Sequence, residues 1–105
     1  MPPDTSPPSI LDEHTAAHVA GLFSAFSDTS RVRILSAILH QELNVTTLAS
    51  HVGLSESAVS HHLRSLRQMG LVNSRRSGKE VFYHLEDPHL ITLFQQGIEH
   101  IRHSR

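Results

Sequence analysis

The sequence predicts a mainly α-helical domain that carries one small β-hairpin. Three observations point to it. Apolar residues recur at helical spacing through most of the chain. The stretch TTLASHVGLSESAVSHHLRSLRQMG reads as two short helices joined by a glycine-containing turn. Two alternating segments, 72–76 and 81–85, flank Ser77-Gly78-Lys79 and read as a hairpin. Helix, turn, helix and hairpin in that order make a winged helix-turn-helix.

A first helix is expected over 14–26, with Ala, Val, Leu and Phe on one face. Asp28 suits the N-cap of a second helix over 31–39, whose apolar face is Val32, Ile34, Leu35 and Ile38. Residues 41–44 read as a polar turn. Thr46 or Thr47 starts a short helix covering 48–52, and Gly53 fits its stop. Ser55 caps the next helix, 56–69, with Val59, Leu63 and Leu66 toward the core and Gly70 as its end. After the hairpin, Asp87 is the N-cap and Pro88 the first position of a last helix running to about His103. Its apolar stripe is Leu90, Ile91, Phe94, Ile98 and Ile101. Residues 1–11, rich in Pro and Ser, read as a disordered leader. Residues 12–105 read as one domain with dimerisation helices at both ends.

With 105 residues the chain has room for one modest core. It has no long apolar run and no basic-then-apolar start, so a cytoplasmic protein with no membrane partner is expected. Cysteine is absent, which excludes disulfides, thiolate metal sites and cysteine nucleophiles. Ten histidines favour metal binding through nitrogen and oxygen. The net charge of −1 does not mark a nucleic-acid binder, but its distribution does. The stretch 57–79 carries Arg64, Arg67, Arg75, Arg76 and Lys79 and no acidic residue.

The second helix of the pair presents Glu56, Ser57, Ser60, His61 and Arg64 away from its apolar positions. Small hydroxyls and an imidazole near a helix N-terminus suit base edges in the major groove. Arg75, Arg76 and Lys79 fall near the hairpin tip, where a wing meets phosphate or the adjacent minor groove. Double-stranded DNA is the expected partner. Arg64 and Arg67 suit phosphate contacts, although Arg67 also reads as a plain solvated charge. His61 and His62 are adjacent and must point different ways, so at least one is structural or solvent-facing.

Asp87, His89, His100 and His103 form a D-x-H-x10-H-x2-H pattern on the last helix. His89 and His100 lie roughly 16 Å apart along the axis. A zinc site gathers its ligands within about 2.0–2.2 Å of one ion. At roughly 100° per residue the three histidines fall within about 60° on one face. One face but opposite ends implies a second copy of the helix running antiparallel. Asp87 and His89 of one subunit then meet His100 and His103 of the other, giving a homodimer with two equivalent sites. Taken singly, Asp87 is an ordinary N-cap, and His100 and His103 suit a helix C-terminus. The joint spacing is what points to metal. Three histidines and one aspartate suit Zn(II) and accept Co(II). Four protein ligands leave no open position and no nucleophile–base pair stands out, so an enzyme is not expected.

On these residues the chain resembles the ArsR/SmtB family of metal-responsive winged-helix repressors. The resemblance runs from about Leu22 to His103. It rests on FSDTSRVRIL, LASHVGLSESAVSHHLRSLRQMGLV, the RRSGKEVFYHL hairpin and the terminal D-x-H-x10-H-x2-H. The last is similar to the zinc-sensing CzrA/SmtB-like branch. The resemblance implies a homodimeric repressor whose apo form binds an imperfect palindromic operator, with recognition helices about one turn, roughly 34 Å, apart. Release follows Zn(II) binding between the C-terminal helices. It implies Asp87, His89, His100 and His103 as ligands and Glu56, Ser57, Ser60 and His61 as recognition residues. It also implies a hydrogen bond from the second ring N–H of His100 to backbone near Gly70. Some relatives carry Glu where this chain has His103. Nickel and cobalt sensors of the family recruit further histidines, and His14 and His18 are spaced to serve a Ni(II) or Co(II) site or simply to form an exposed pair. Two other readings stay open: a DNA-binding regulator with no metal input, and a metal buffer or transport protein that does not bind DNA.

Overall fold

The computed structural model describes residues 3 and 5–104. Positions 1, 2 and 4 of the expected leader lie outside the described residues, and 3 and 5–11 are exposed without helix or strand. The elements follow in the order α1 (Glu13–Ala25), α2 (Thr29–Ala37), β1 (Leu43–Asn44), α3 (Val45–Val52), α4 (Glu56–Gln68), β2 (Asn73–Ser77), β3 (Glu80–His84) and α5 (Pro88–His103).

Local capping explains most boundaries. Asp12 starts α1, its carboxylate accepting from the Thr15 N–H at 3.1 Å and the Thr15 hydroxyl at 2.7 Å. Ser55 starts α4 by accepting from the Ala58 N–H at 3.1 Å. Gly53 ends α3 in the left-handed conformation at φ 71°. Gly70, at φ 74°, ends α4 in a Schellman arrangement. There the Leu71 N–H donates to the Leu66 carbonyl and the Gly70 N–H to the Arg67 carbonyl, both at 2.9 Å.

Three local expectations are corrected. The 41–44 stretch is not only a turn: Leu43–Asn44 forms β1, paired antiparallel with β3 through Leu43↔Tyr83 and Asn44↔Phe82. The cap of α3 is then Asn44, not Thr46 or Thr47, and it accepts from the Thr47 N–H at 2.8 Å. Asp28 occupies the N-cap position of α2, but its side chain makes no capping bond. Its carboxylate turns toward Arg31 and His62 instead.

The sheet order is β1-β3-β2. The hairpin closes on the Ser77↔Glu80 pair, with Gly78 at φ 64° where a type II′ turn places glycine. The core is built by Ile34, Leu35 and Ile38 of α2, Leu48 and Val52 of α3, Val59, Leu63 and Leu66 of α4, and Val72 and Leu85 at the hairpin base. The outer helices give it one buried residue each, Ala25 and Phe94. The rings of Phe26 and Phe94 meet edge-on at 6.0 Å. Leu90, Ile91 and Ile98 pack against the core, but Ile101 stays 58% exposed. On α1, Phe23 is 53% exposed. The ends of the chain thus leave apolar surface uncovered on an elongated domain of 63 × 35 × 21 Å.

Candidate nucleic-acid interface and metal centre

Burial of Val59, Leu63 and Leu66 turns the other side of α4 outward. Glu56, Ser57, His61 and Arg64 are exposed there, and Ser60 is half-buried. Glu56 also accepts from the Thr46 hydroxyl at 3.0 Å, tying the start of α4 to the start of α3. The two adjacent histidines do diverge: His61 faces solvent and His62 is half-buried against α2. Arg31 of α2 donates from Nε to His62 Nδ1 at 3.3 Å and from Nη2 to Ser65 Oγ at 3.2 Å. Arg33 donates to the Val52 carbonyl at 2.7 Å, closing the end of α3. The helix pair is therefore held as a unit by apolar packing and by side chains from α2.

The three wing cations are not equivalent. Arg76 and Lys79 are exposed and form no ion pair among the described residues. Arg75 is exposed too, but Glu42 grips its guanidinium, with Nε at 2.9 and 2.7 Å from the two carboxylate oxygens and Nη2 closing the pair. The guanidinium carbon lies 5.3 Å from the Phe82 ring centre. The hydrogen bond from Arg75 holds the Glu42 carboxyl below its ordinary range, and the same bond raises the Arg75 guanidinium. Arg75 thus fastens the wing to the segment before β1. The hydropathy pattern did not reveal Arg31, Ser65, Thr46 and Glu42 as residues that organise this face.

Asp87 performs the capping role expected of it. Its Oδ1 accepts from the His89 N–H at 2.8 Å and lies 3.0 Å from His89 Nδ1. Those bonds, the backbone one first, hold the Asp87 carboxyl below its ordinary value. With Nδ1–H donating to Asp87, the His89 ring presents Nε2 as a lone-pair donor to solvent. The ring is 96% exposed. His100 and His103 are exposed near the other end of α5. Among the described residues, no three His, Asp or Glu side chains cluster closely enough to hold an ion. Within the single chain the four residues therefore lie apart in two groups, Asp87 with His89 at the start of α5 and His100 with His103 in its last turn. The expected bond from the His100 ring to backbone near Gly70 is not made among the described residues of the single chain, where the His100 carbonyl accepts from the Ser104 N–H at 3.0 Å. On α1, His18 Nδ1 sits 2.8 Å from the His14 carbonyl, and the two rings are 4.4 Å apart.

No helix among the described residues is long and apolar enough to cross a membrane. An apolar groove of about 390 Å³ lies between α1 and the end of α4, lined by Ala17, Gly21, Leu22, Met69 and Leu71 beside His18.

A helix pair with an outward polar face, followed by a hairpin with free cations at its tip, defines a winged helix-turn-helix transcriptional regulator. The chain belongs to the family described as bacterial regulatory protein, arsR family, whose match spans residues 28–74. It is 43% identical over 97 residues to the transcriptional repressor SmtB homolog of Synechocystis sp., covering 92% of this chain and 74% of that protein. Among solved structures it is similar to the AntR antimony-specific transcriptional repressor, with a TM-score of 0.83 at 27% identity over 99% of this chain and 95% of that one. It is also similar to a homodimeric winged helix-turn-helix DNA-binding domain from Mycobacterium bovis, with a TM-score of 0.76 at 27% identity over 89% and 93%.

Proposed function

We propose that the protein is a cytoplasmic, homodimeric, metal-responsive repressor that binds an imperfect palindromic operator in its metal-free form and is released when Zn(II) binds between paired α5 helices. The observation that carries the reading is the split of one ligand set along α5. Asp87 and His89 are already organised at its start, and His100 and His103 stand exposed near its end. An antiparallel partner helix joins the two halves. Uncovered apolar residues on α1 and α5, among them Phe23 and Ile101, support such a pairing. A homodimeric neighbour and repressor relatives, one of them specific for antimony, agree with the class.

In this reading α4 enters the major groove, with Ser57, Ser60 and His61 toward base edges, Glu56 at the helix start, and Arg64 toward phosphate. Arg76 and Lys79 reach the backbone from the wing. The ion supplies a crosslink of nitrogen and oxygen ligands between subunits. Joining the α5 helices selects one relative orientation of the two α4 helices, and operator affinity falls if that orientation is the unsuitable one. By linkage DNA then weakens metal binding equally. A tenfold release requires only about 1.4 kcal/mol of coupling. Because the histidines bind metal when neutral, the response weakens at low pH.

Fluorescence anisotropy on an operator from the protein's own promoter, with and without one Zn(II) per subunit, tests the reading. Release by Zn(II) that is lost in His89→Ala supports it. Tight DNA binding that no metal changes leaves a regulator without metal input, and absence of DNA binding alongside metal binding leaves a buffer.

The adjoining rings of His14 and His18 favour a second reading, a Ni(II) or Co(II) sensor that adds these residues to the α5 ligands. With Nδ1–H of His18 held by the His14 carbonyl, its Nε2 is left to bind. A nickel or cobalt response lost in His18→Ala, with the zinc response kept, would support this version.

A further inference from the structure

We propose that Arg31 is a positioning residue for DNA recognition, setting the pose of the recognition helix from α2 through His62 and Ser65. The inference rests on the DNA-binding reading above. At roughly 100° per residue, Ser57, Ser60, His61 and Arg64 share one face of α4, and His62 and Ser65 lie on its flank between that face and the core. Arg31 grips this flank.

The core side of α4 is held by Val59, Leu63 and Leu66, all fully buried. Apolar burial is non-directional, so it fixes the depth of the helix far better than its rotation about its own axis. Base reading needs side chains placed within about 0.5 Å and 10–20°. A guanidinium meets that need because its donors form a rigid planar fork. Here two arms of the fork take acceptors one helical turn apart, His62 Nδ1 at 3.3 Å and Ser65 Oγ at 3.2 Å. Two bonds to one flank fix both rotation and sliding.

The neighbourhood is built around this grip. Asp28 gives up its capping bond on α2 and places its carboxylate 3.9 Å from Arg31 Nε. The Arg31 and His62 side chains are only 21% and 19% exposed, so water competes weakly for these bonds. His62 accepts at Nδ1, which puts its ring hydrogen on Nε2.

The test compares the full-length dimer with Arg31→Met, Arg31→Lys, Ser65→Ala, His62→Ala and the Arg31→Met/His62→Ala double variant. Each is titrated against the operator and an unrelated duplex of equal length over a series of salt concentrations. Circular dichroism and sedimentation establish that each variant is a folded dimer. Arg31→Met is expected to lose about tenfold in operator affinity and less than about twofold on the unrelated duplex, with the salt slope unchanged. Arg31→Lys, which keeps the charge without the fork, stays impaired. His62→Ala weakens operator binding alone but adds little on top of Arg31→Met. A folded Arg31→Met dimer with wild-type operator affinity overturns the proposal. So does an equal loss on both duplexes with a slope reduced by about one, because that marks a phosphate contact. If Arg31→Met does not fold, Ser65→Ala decides: a lowered operator-to-unrelated ratio supports the proposal and an unchanged ratio overturns it. Wild-type protein that binds neither duplex overturns the DNA-binding reading, and this inference with it.

Discussion

Glu42 and Arg75 join the two outer strands of the sheet across the middle one. Arg75 on β2 pairs in register with Phe82 of β3, Asn44 of β1 pairs with the same Phe82, and Glu42 precedes β1. The carboxylate takes Arg75 Nε on both oxygens, at 2.9 and 2.7 Å, while the guanidinium lies over the Phe82 ring. One side-chain pair thereby fixes the base of the wing and neutralises one of its cations.

Glu42→Gln should free Arg75 for phosphate. Operator affinity is expected to rise a few-fold, and the slope of log affinity against log salt to steepen by up to about one. Anisotropy titrations over a salt series measure both. An unchanged slope would mean that Arg75 reaches no phosphate even when released.

The same pair responds to acid in a definite direction. The folded Glu42 carboxyl lies below its ordinary value, so its contribution is present above the usual glutamate range and disappears as pH falls through the folded value. Resonances of Phe82 and the Arg75 Nε–H should therefore hold steady from neutral pH down to about 4.3 and move below it. Neither side chain is buried, Arg75 being 53% and Glu42 33% exposed, which keeps the effect on global stability small. Arg75→Met should remove the acid transition at Phe82.

His89→Ala should bind DNA like wild type without metal and lose the metal response, with bound metal per subunit falling in equilibrium dialysis. Asp87→Asn separates the two jobs of that side chain. Asn is as good an N-cap as Asp, so α5 should persist by circular dichroism while metal affinity drops at least tenfold. Full retention of metal by both variants would place the ligands elsewhere.

Phe23→Glu puts a charge on the exposed apolar side of α1 without touching the buried core. It should raise the dimer dissociation constant at least tenfold in sedimentation equilibrium and leave the helical spectrum unchanged. Dimerisation at wild-type strength would show that this surface does not pair.

Leu63→Ala attacks the opposite case, a residue with no exposure at the centre of α4. It should cost about 2–5 kcal/mol in urea unfolding. DNA binding should weaken only to the extent that the folded population falls.

Much of this architecture was legible because its causes are local. Ser55 and Asp87 cap helices by bonding N–H groups two or three residues onward. Gly53 and Gly70 end helices by adopting a conformation that other residues avoid. The stripe Val59, Leu63, Leu66 announces which side of α4 is buried, and with it the outward side where Ser57, His61 and Arg64 lie. The placing of Asp87, His89, His100 and His103 along one helix was legible from residue types and period. Their division into two ends follows from the rise of the helix alone.

The remainder joins residues far apart in the chain. β1 is two residues long, too short for an alternating pattern, and exists because β3 pairs with it. Arg75 reads as a free wing cation until the fold brings Glu42 to it from 33 positions away. Asp28 has the right residue type for a cap, yet its carboxylate turns toward Arg31 and His62 once α2 and α4 meet. Residue types and helical periodicity by themselves determined the succession of helices, the hairpin, the outward side of α4 and the placing of the candidate ligands along α5, because each depends on bonds or spacings within a turn or two. Only the tertiary structure decided which polar side chains are committed to one another, because one carboxylate or guanidinium has several suitable partners in the sequence and packing brings a single set within reach.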